Sequence, residues 1–111
     1  MTDLPRAFRQ GDVLFIPREL PTKVTGREEP EQGRLILARG EVTGHAHVVD
    51  AMDAELVVAE AERYLKVLSA TTTVRHEEHG PIVLPQLPDG YGWYLPRQVE
   101  VVGQQMRLVG D

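Results

Sequence analysis

The stretch AMDAELVVAEAERYLKVL, residues 51–68, decides the fold. Its alanine and glutamate content suits a helix, and Met52, Leu56 and Ala59 would share one helical face. Against that, Leu56-Val57-Val58 and the run from Arg63 to Leu68 are rich in strand formers and flank the polar Glu60-Ala61-Glu62. Read as strand, turn and strand, the segment is a hairpin, and no convincing long helix is left in the chain.

The rest of the sequence follows the same grammar. Gly11-Asp12 is a turn feeding a strand from Val13 to Ile16 that Pro17 ends. Residues 18–33 hold Pro21, Gly26, Pro30, Gly33 and the pair Glu28-Glu29, the composition of a mobile polar loop. Arg34 to Arg39 alternates, with Leu35 and Leu37 on one face and Ile36 and Ala38 on the other. Gly40 to Gly44 is a turn, and His45 to Val49 resumes the alternation. Thr71 to Val74 is β-branched throughout. Ile82-Val83-Leu84 is a strand stopped by Pro85, and Pro88-Asp89-Gly90 turns the chain into the aromatic strand Tyr91 to Leu95. Val99–Val102 and Met106–Val109 complete the pattern. The expectation is an all-β chain, residues 1–111 forming a single domain, a small barrel or sandwich of about eight short strands.

Composition narrows the function. At 111 residues the chain has room for one core. It has no cysteine, which excludes disulfides, thiolate zinc sites, iron–sulfur clusters and cysteine nucleophiles. A net charge of −5 argues against nucleic acid, whose phosphates need a basic partner surface. Apolar runs such as Val13-Leu14-Phe15-Ile16 are too short to span a bilayer, and residues 1–6 lack the pattern of a signal peptide, so no membrane and a cytoplasmic location are expected.

The histidines carry the chemical information. All four fall in two short groups, His45-Ala46-His47 and His76-Glu77-Glu78-His79. Residues two apart on a strand share a face, so His45 and His47 can aim both imidazoles at one point, with Ala46 and Val48 turned to the core. His76 and His79 would face oppositely on a continuous strand. They meet if Glu77-Glu78 is the centre of a tight turn; alternatively Glu77 and His79 share a strand face and the carboxylate replaces one imidazole. The candidate ligands are thus His45, His47, His76 and His79, with Glu77, Glu78 or Glu41 in reserve. Without thiolates such a set suits Zn, Fe, Mn, Ni or Cu. The competing interpretation separates the two groups into an exposed pair and a pair in a polar turn.

Other features weigh less. Trp93, Tyr91 and Tyr94 read as core or rim packing rather than a ligand floor, and Arg75 and Arg97 as solvated or paired rather than an anion site. Ser69 has no glycine-rich elbow, and no phosphate-cradling glycine loop is present.

Two resemblances attach to these residues. Gly40-Glu-Val-Thr-Gly-His-Ala-His47, His76-Glu-Glu-His-Gly-Pro-Ile-Val-Leu-Pro85 and Gly92-Trp-Tyr-Leu-Pro-Arg-Gln98 resemble a family of uncharacterised small bacterial proteins, over most of the chain from Gly11-Asp12 onward. That family brings no activity with it. The HxH after a glycine-rich turn is also similar to the first motif of cupins, which would imply that His45 and His47 are ligands. The chain departs from that pattern: Asp50 stands earlier than the cupin glutamate, the second cupin histidine signature is missing, and HEEH has no counterpart there.

These readings converge on a metal-binding β protein with a divalent transition metal at the histidines. If it is an enzyme, the metal would activate water or dioxygen, Glu77 or Glu78 would be the general base, and the partner would be a small-molecule substrate. The alternative is a non-enzymatic interaction or assembly module, a homo-oligomer, in which the histidine cluster staples the fold.

Overall fold

A computed structural model of the protein describes residues 3–40, 44–102 and 105–109, with side chains through residue 97. Twelve strands and no helix occur among them: β1 (Phe8–Gln10), β2 (Val13–Glu19), β3 (Gly26–Glu28), β4 (Arg34–Arg39), β5 (Ala46–Asp50), β6 (Ala54–Ala59), β7 (Glu62–Val67), β8 (Thr71–Val74), β9 (Ile82–Pro85), β10 (Tyr91–Leu95), β11 (Gln98–Val102) and β12 (Gln105–Val109). Among the described residues no helix is long and apolar enough to cross a membrane.

Residues 51–68 form the expected hairpin. Ala59 pairs with Glu62, so the loop is the two residues Glu60 and Ala61, both at positive φ (54° and 63°). The β6–β7 hairpin lies between β10 and the edge strand β3 of a six-stranded antiparallel sheet in the order β1-β2-β10-β7-β6-β3. Opposite it lie the hairpins β4–β5 and β8–β9. They are joined by a bridge between Val48 and Arg75, whose amides and carbonyls exchange hydrogen bonds of 3.0 and 2.9 Å. The second layer therefore runs β4-β5-β8-β9. β11 and β12 pair with each other. The layers do not close into a barrel, and the molecule is a sandwich of all-β architecture.

One core fills the space between the layers. Val13, Phe15, Leu56, Leu65, Trp93 and Leu95 from the large sheet meet Leu35, Leu37, Val49, Val74 and Leu84 from the smaller one. Trp93 is fully buried, its ring edge-on to Phe8 at 5.5 Å, and its Nε1–H donates to the Pro85 carbonyl across the layers. Tyr91 packs against the same core, whereas Tyr94 lies against a second cluster of Val57, Ala59 and Tyr64.

Four expectations are corrected. Pro17 does not end β2, which continues to Glu19 with Pro17 opposite Trp93. The proline is tolerated because β1 flanks only Val13–Phe15, and no other described strand pairs with that edge beyond them. Residues 18–33 are not a loose loop. Gly26–Glu28 adds β3 to the sheet edge, and Glu31 and Arg34 bridge across Gln32-Gly33, both at positive φ. Strands β1 and β3, three residues each, are too short for alternation to reveal them, and the twelve strands exceed the eight or so expected. In β5 Ala46 is buried as expected, but His47 and Val49 are buried as well and Val48 is not turned to the core. Val48, half-buried, is instead the residue that bridges to Arg75.

Candidate metal centre

Three segments distant in sequence meet at one end of the sandwich: the β1–β2 turn, the start of β5 and the loop between β8 and β9. All four histidines are there. The ring of His76 lies 4.2 Å from His47, 4.7 Å from His79 and 5.8 Å from His45, centroid to centroid. His47 and His79 stack at 6.0 Å. The two sequence groups therefore form one cluster.

The second group achieves this by neither route expected from its spacing. His76 to His79 is not a tight hairpin turn with a cross-strand pair, nor a strand that aligns Glu77 with His79. Thr71–Val74 pairs with Ile82–Pro85, leaving a seven-residue connection that bends at residues 77–79. Such a loop frees side-chain direction from strand alternation and lets His76 and His79 approach the same point. Glu-Glu lacks the turn chemistry for a two-residue hairpin, and the chain uses a longer loop instead.

His45, His76 and Glu77 offer donor atoms that all lie within 4.8 Å of one another, close enough to hold one cation. The glutamates tie the loop to β5. Glu77 accepts the Ala46 N–H at 3.1 Å, and Glu78 Oε1 lies 2.6 Å from His45 Nδ1. The Glu78 N–H donates to His76 Nδ1 at 3.0 Å. Hydrogen bonds from its own backbone N–H, and then from Ala46, together with nearby His45 and His76, hold the Glu77 carboxyl below the usual carboxylate range. Glu77 is consequently an anion ready to face a cation. Glu41 lies outside the described residues.

The site also contains residues that sequence reading did not single out. Gln10, at the end of β1 and 2% exposed, accepts at Oε1 from His47 Nδ1 at 2.8 Å. Asp12, largely exposed, puts a carboxylate oxygen 3.9 Å from His47 Nε2. Gly11, at φ 60°, brings backbone against His79. The only local signal was the turn Gly11-Asp12; nothing in the sequence marks Gln10. His47 is 5% exposed, and this burial, with His76 close by, lowers its pKa from 6.5 to about 4. His47 is therefore a neutral imidazole at physiological pH, the form that can donate a lone pair.

A β-sandwich with a histidine–carboxylate cluster at one end is the class that fold and site define. The chain belongs to the family described as a domain of unknown function (DUF8820), whose model matches residues 9–98 and so includes Gln10, all four histidines and both glutamates. No curated protein matches the chain, and no solved structure does.

Proposed function

We propose that this protein binds one divalent transition-metal ion at the end of the sandwich. His45, His76 and Glu77 form the three-point seat, and His47 and His79 close around it. The observation that carries the reading is the convergence of four imidazoles and two carboxylates from segments that the strand order alone had no need to bring together. Imidazoles packed this closely repel one another when protonated, so four such rings with flanking glutamates are better suited to sharing one cation than to carrying a proton each. Imidazole and carboxylate donors suit Zn, Fe, Mn, Ni or Cu.

The seat faces water. Glu77, Glu78 and His79 are exposed, and the core on the far side of His47 is complete without them. This supports a solvent-accessible metal over a structural staple, and with it a metal that activates water or dioxygen for a small-molecule substrate. In that reaction Glu77, held ionised by two N–H donors, serves as a ligand, and Glu78 beside His45 is the better placed carboxylate to take a proton. The alternative is an assembly module in which the cluster is structural; it predicts that chelation unfolds the chain.

The test is elemental analysis of purified protein together with His45→Ala, His47→Ala, His76→Ala and Glu77→Ala. Stoichiometric metal lost on substitution in both sequence groups supports one shared centre. Wild-type protein that takes up none of these metals would sink the proposal.

A further inference from the structure

We infer that Gln10 is the positioning residue of this centre: it locks His47 in the Nδ1–H tautomer and leaves Nε2 as the lone pair on the side of the site where Asp12 lies. The metal reading supplies the purpose of the lock, but its geometry stands apart from that reading.

The carboxamide of Gln10 has one orientation that satisfies its surroundings. Its nitrogen lies 2.9 Å from the carbonyl oxygen of Val74 and 2.9 Å from that of Gly80. Both are acceptors, so the group between them must be the NH2. The oxygen is then the atom 2.8 Å from His47 Nδ1, and an amide oxygen only accepts. His47 must therefore carry its proton on Nδ1. In the neutral ring this leaves Nε2 as a lone pair, on the side where Asp12 lies 3.9 Å away. A partner that fixes the distal nitrogen while the other faces a metal is the usual support of a ligating histidine.

The same three hydrogen bonds do more than set a tautomer. Val74 ends β8 and Gly80 lies one residue before the end of the loop that carries His76 and His79. Gln10 thus holds both ends of that loop against β1 while it orients His47, and one buried side chain sets the position of three of the four histidines. Glutamate would offer oxygens to two carbonyls. Leucine would offer nothing to either carbonyl or to the imidazole.

The experiment uses uniformly 15N-labelled protein, stripped of metal by a chelator, and long-range proton–nitrogen correlation spectra at pH 7.5. These report which ring nitrogen of His47 is protonated. Zinc affinity of the same samples is measured by competition with a chromophoric chelator, and folding by circular dichroism. Wild type is expected to show His47 protonated at Nδ1. Gln10→Leu, if folded, is expected to move the proton to Nε2 and to weaken zinc binding by about 10- to 100-fold. Gln10→Glu keeps an acceptor for His47 and is expected to keep the Nδ1–H form even where it lowers stability. That result separates orientation of the ring from simple support of the loop.

His47 protonated at Nε2 in wild type overturns the inference, as does an unchanged Nδ1–H form in folded Gln10→Leu. If Gln10→Leu does not fold, Gln10→Glu decides: Nδ1–H retained supports the lock, and Nε2–H refutes it. A wild type that shows the Gln10-dependent tautomer but takes up no zinc, iron, manganese, nickel or copper would leave the lock standing and remove the metal proposal alone.

Discussion

A methyl group placed on the α-carbon of Gly11 would lie 2.6 Å from Nε2 of His79, a separation that no side chain tolerates. The turn and the loop are fitted to each other at this point, and φ at Gly11 is 60°, in the region glycine occupies without strain. Gly11→Ala is expected to push His79 aside and to cost about 1 kcal/mol of stability from the backbone alone. Metal affinity should fall as well, by a factor that the His79→Ala variant sets as its ceiling. Denaturant melts and zinc competition on both variants check this; a Gly11→Ala protein with wild-type stability and affinity would contradict the close fit.

Acid should destabilise the metal-free protein through His47. Its folded pKa, lowered to about 4 by burial and then by His76, is below the 6.5 expected in the unfolded chain. Between those values the unfolded state binds the extra proton. Stability therefore rises with pH from about 4 to 6.5 and is flat above for this group. The full difference amounts to at most about 3 kcal/mol. Urea melts of chelator-treated protein from pH 7.5 down to 4.5 give the slope, and His47→Gln should flatten it relative to wild type. Equal slopes in the two proteins would show that other groups carry the acid sensitivity.

Arg63 clasps the two layers. From β7 its guanidinium donates to both oxygens of Glu28 on the edge strand, at 2.6 and 3.0 Å, and to the carbonyls of Leu37 and Ile36 in β4. The register shift between Ile36 and Ala38 turns these carbonyls out of regular pairing with β5. Arg63→Ala should lose about 2 kcal/mol, and Arg63→Lys should recover little, since an ammonium cannot span the carboxylate and two carbonyls. Thermal melts of the two variants distinguish this from a generic surface charge, for which lysine would substitute fully.

The β6–β7 turn is a place where stability can be gained. Glu60 and Ala61 both hold positive φ, which costs L-residues with a Cβ about 1 kcal/mol or more each. Replacing the pair with Asn-Gly, the sequence that this two-residue hairpin geometry prefers, should raise stability by about 1 kcal/mol with no change in metal content. A lower melting temperature would mean that the turn is held by contacts of these side chains rather than by its backbone.

Thr72 offers a second gain. Its Oγ1 is, among the described residues, the buried side-chain polar atom without a hydrogen-bond partner. Thr72→Val keeps the β-branched shape and removes the orphan hydroxyl, so about 1 kcal/mol of added stability is expected. Chemical denaturation decides; a loss instead would point to a buried water serving the hydroxyl.

How much of this was written in the chain differs from element to element. The hairpin at 51–68, the strands from Arg34, Thr71, Ile82 and Tyr91, and the two histidine groups were legible because alternation, β-branching and turn residues act over a few positions. β1 and β3 were not, since three residues carry no period. The placing of Val48 and His47 in β5 was misjudged because a bulge in its partner and a bridge to Arg75 decide it, and neither is local.

The sequence by itself determined that the protein is an all-β chain with two close groups of imidazoles and no thiol. Local sterics and burial patterns suffice for that. Only the tertiary structure decided that the groups are one cluster, that the 76–79 segment reaches it as a loop rather than a strand or tight turn, and that Gln10, Gly11 and Asp12 belong to it. Those facts depend on how the two layers stack. Gln10 lies 37 positions from His47 and 64 from Val74, and a hydrogen bond across such separations exists only once the core has brought its partners together.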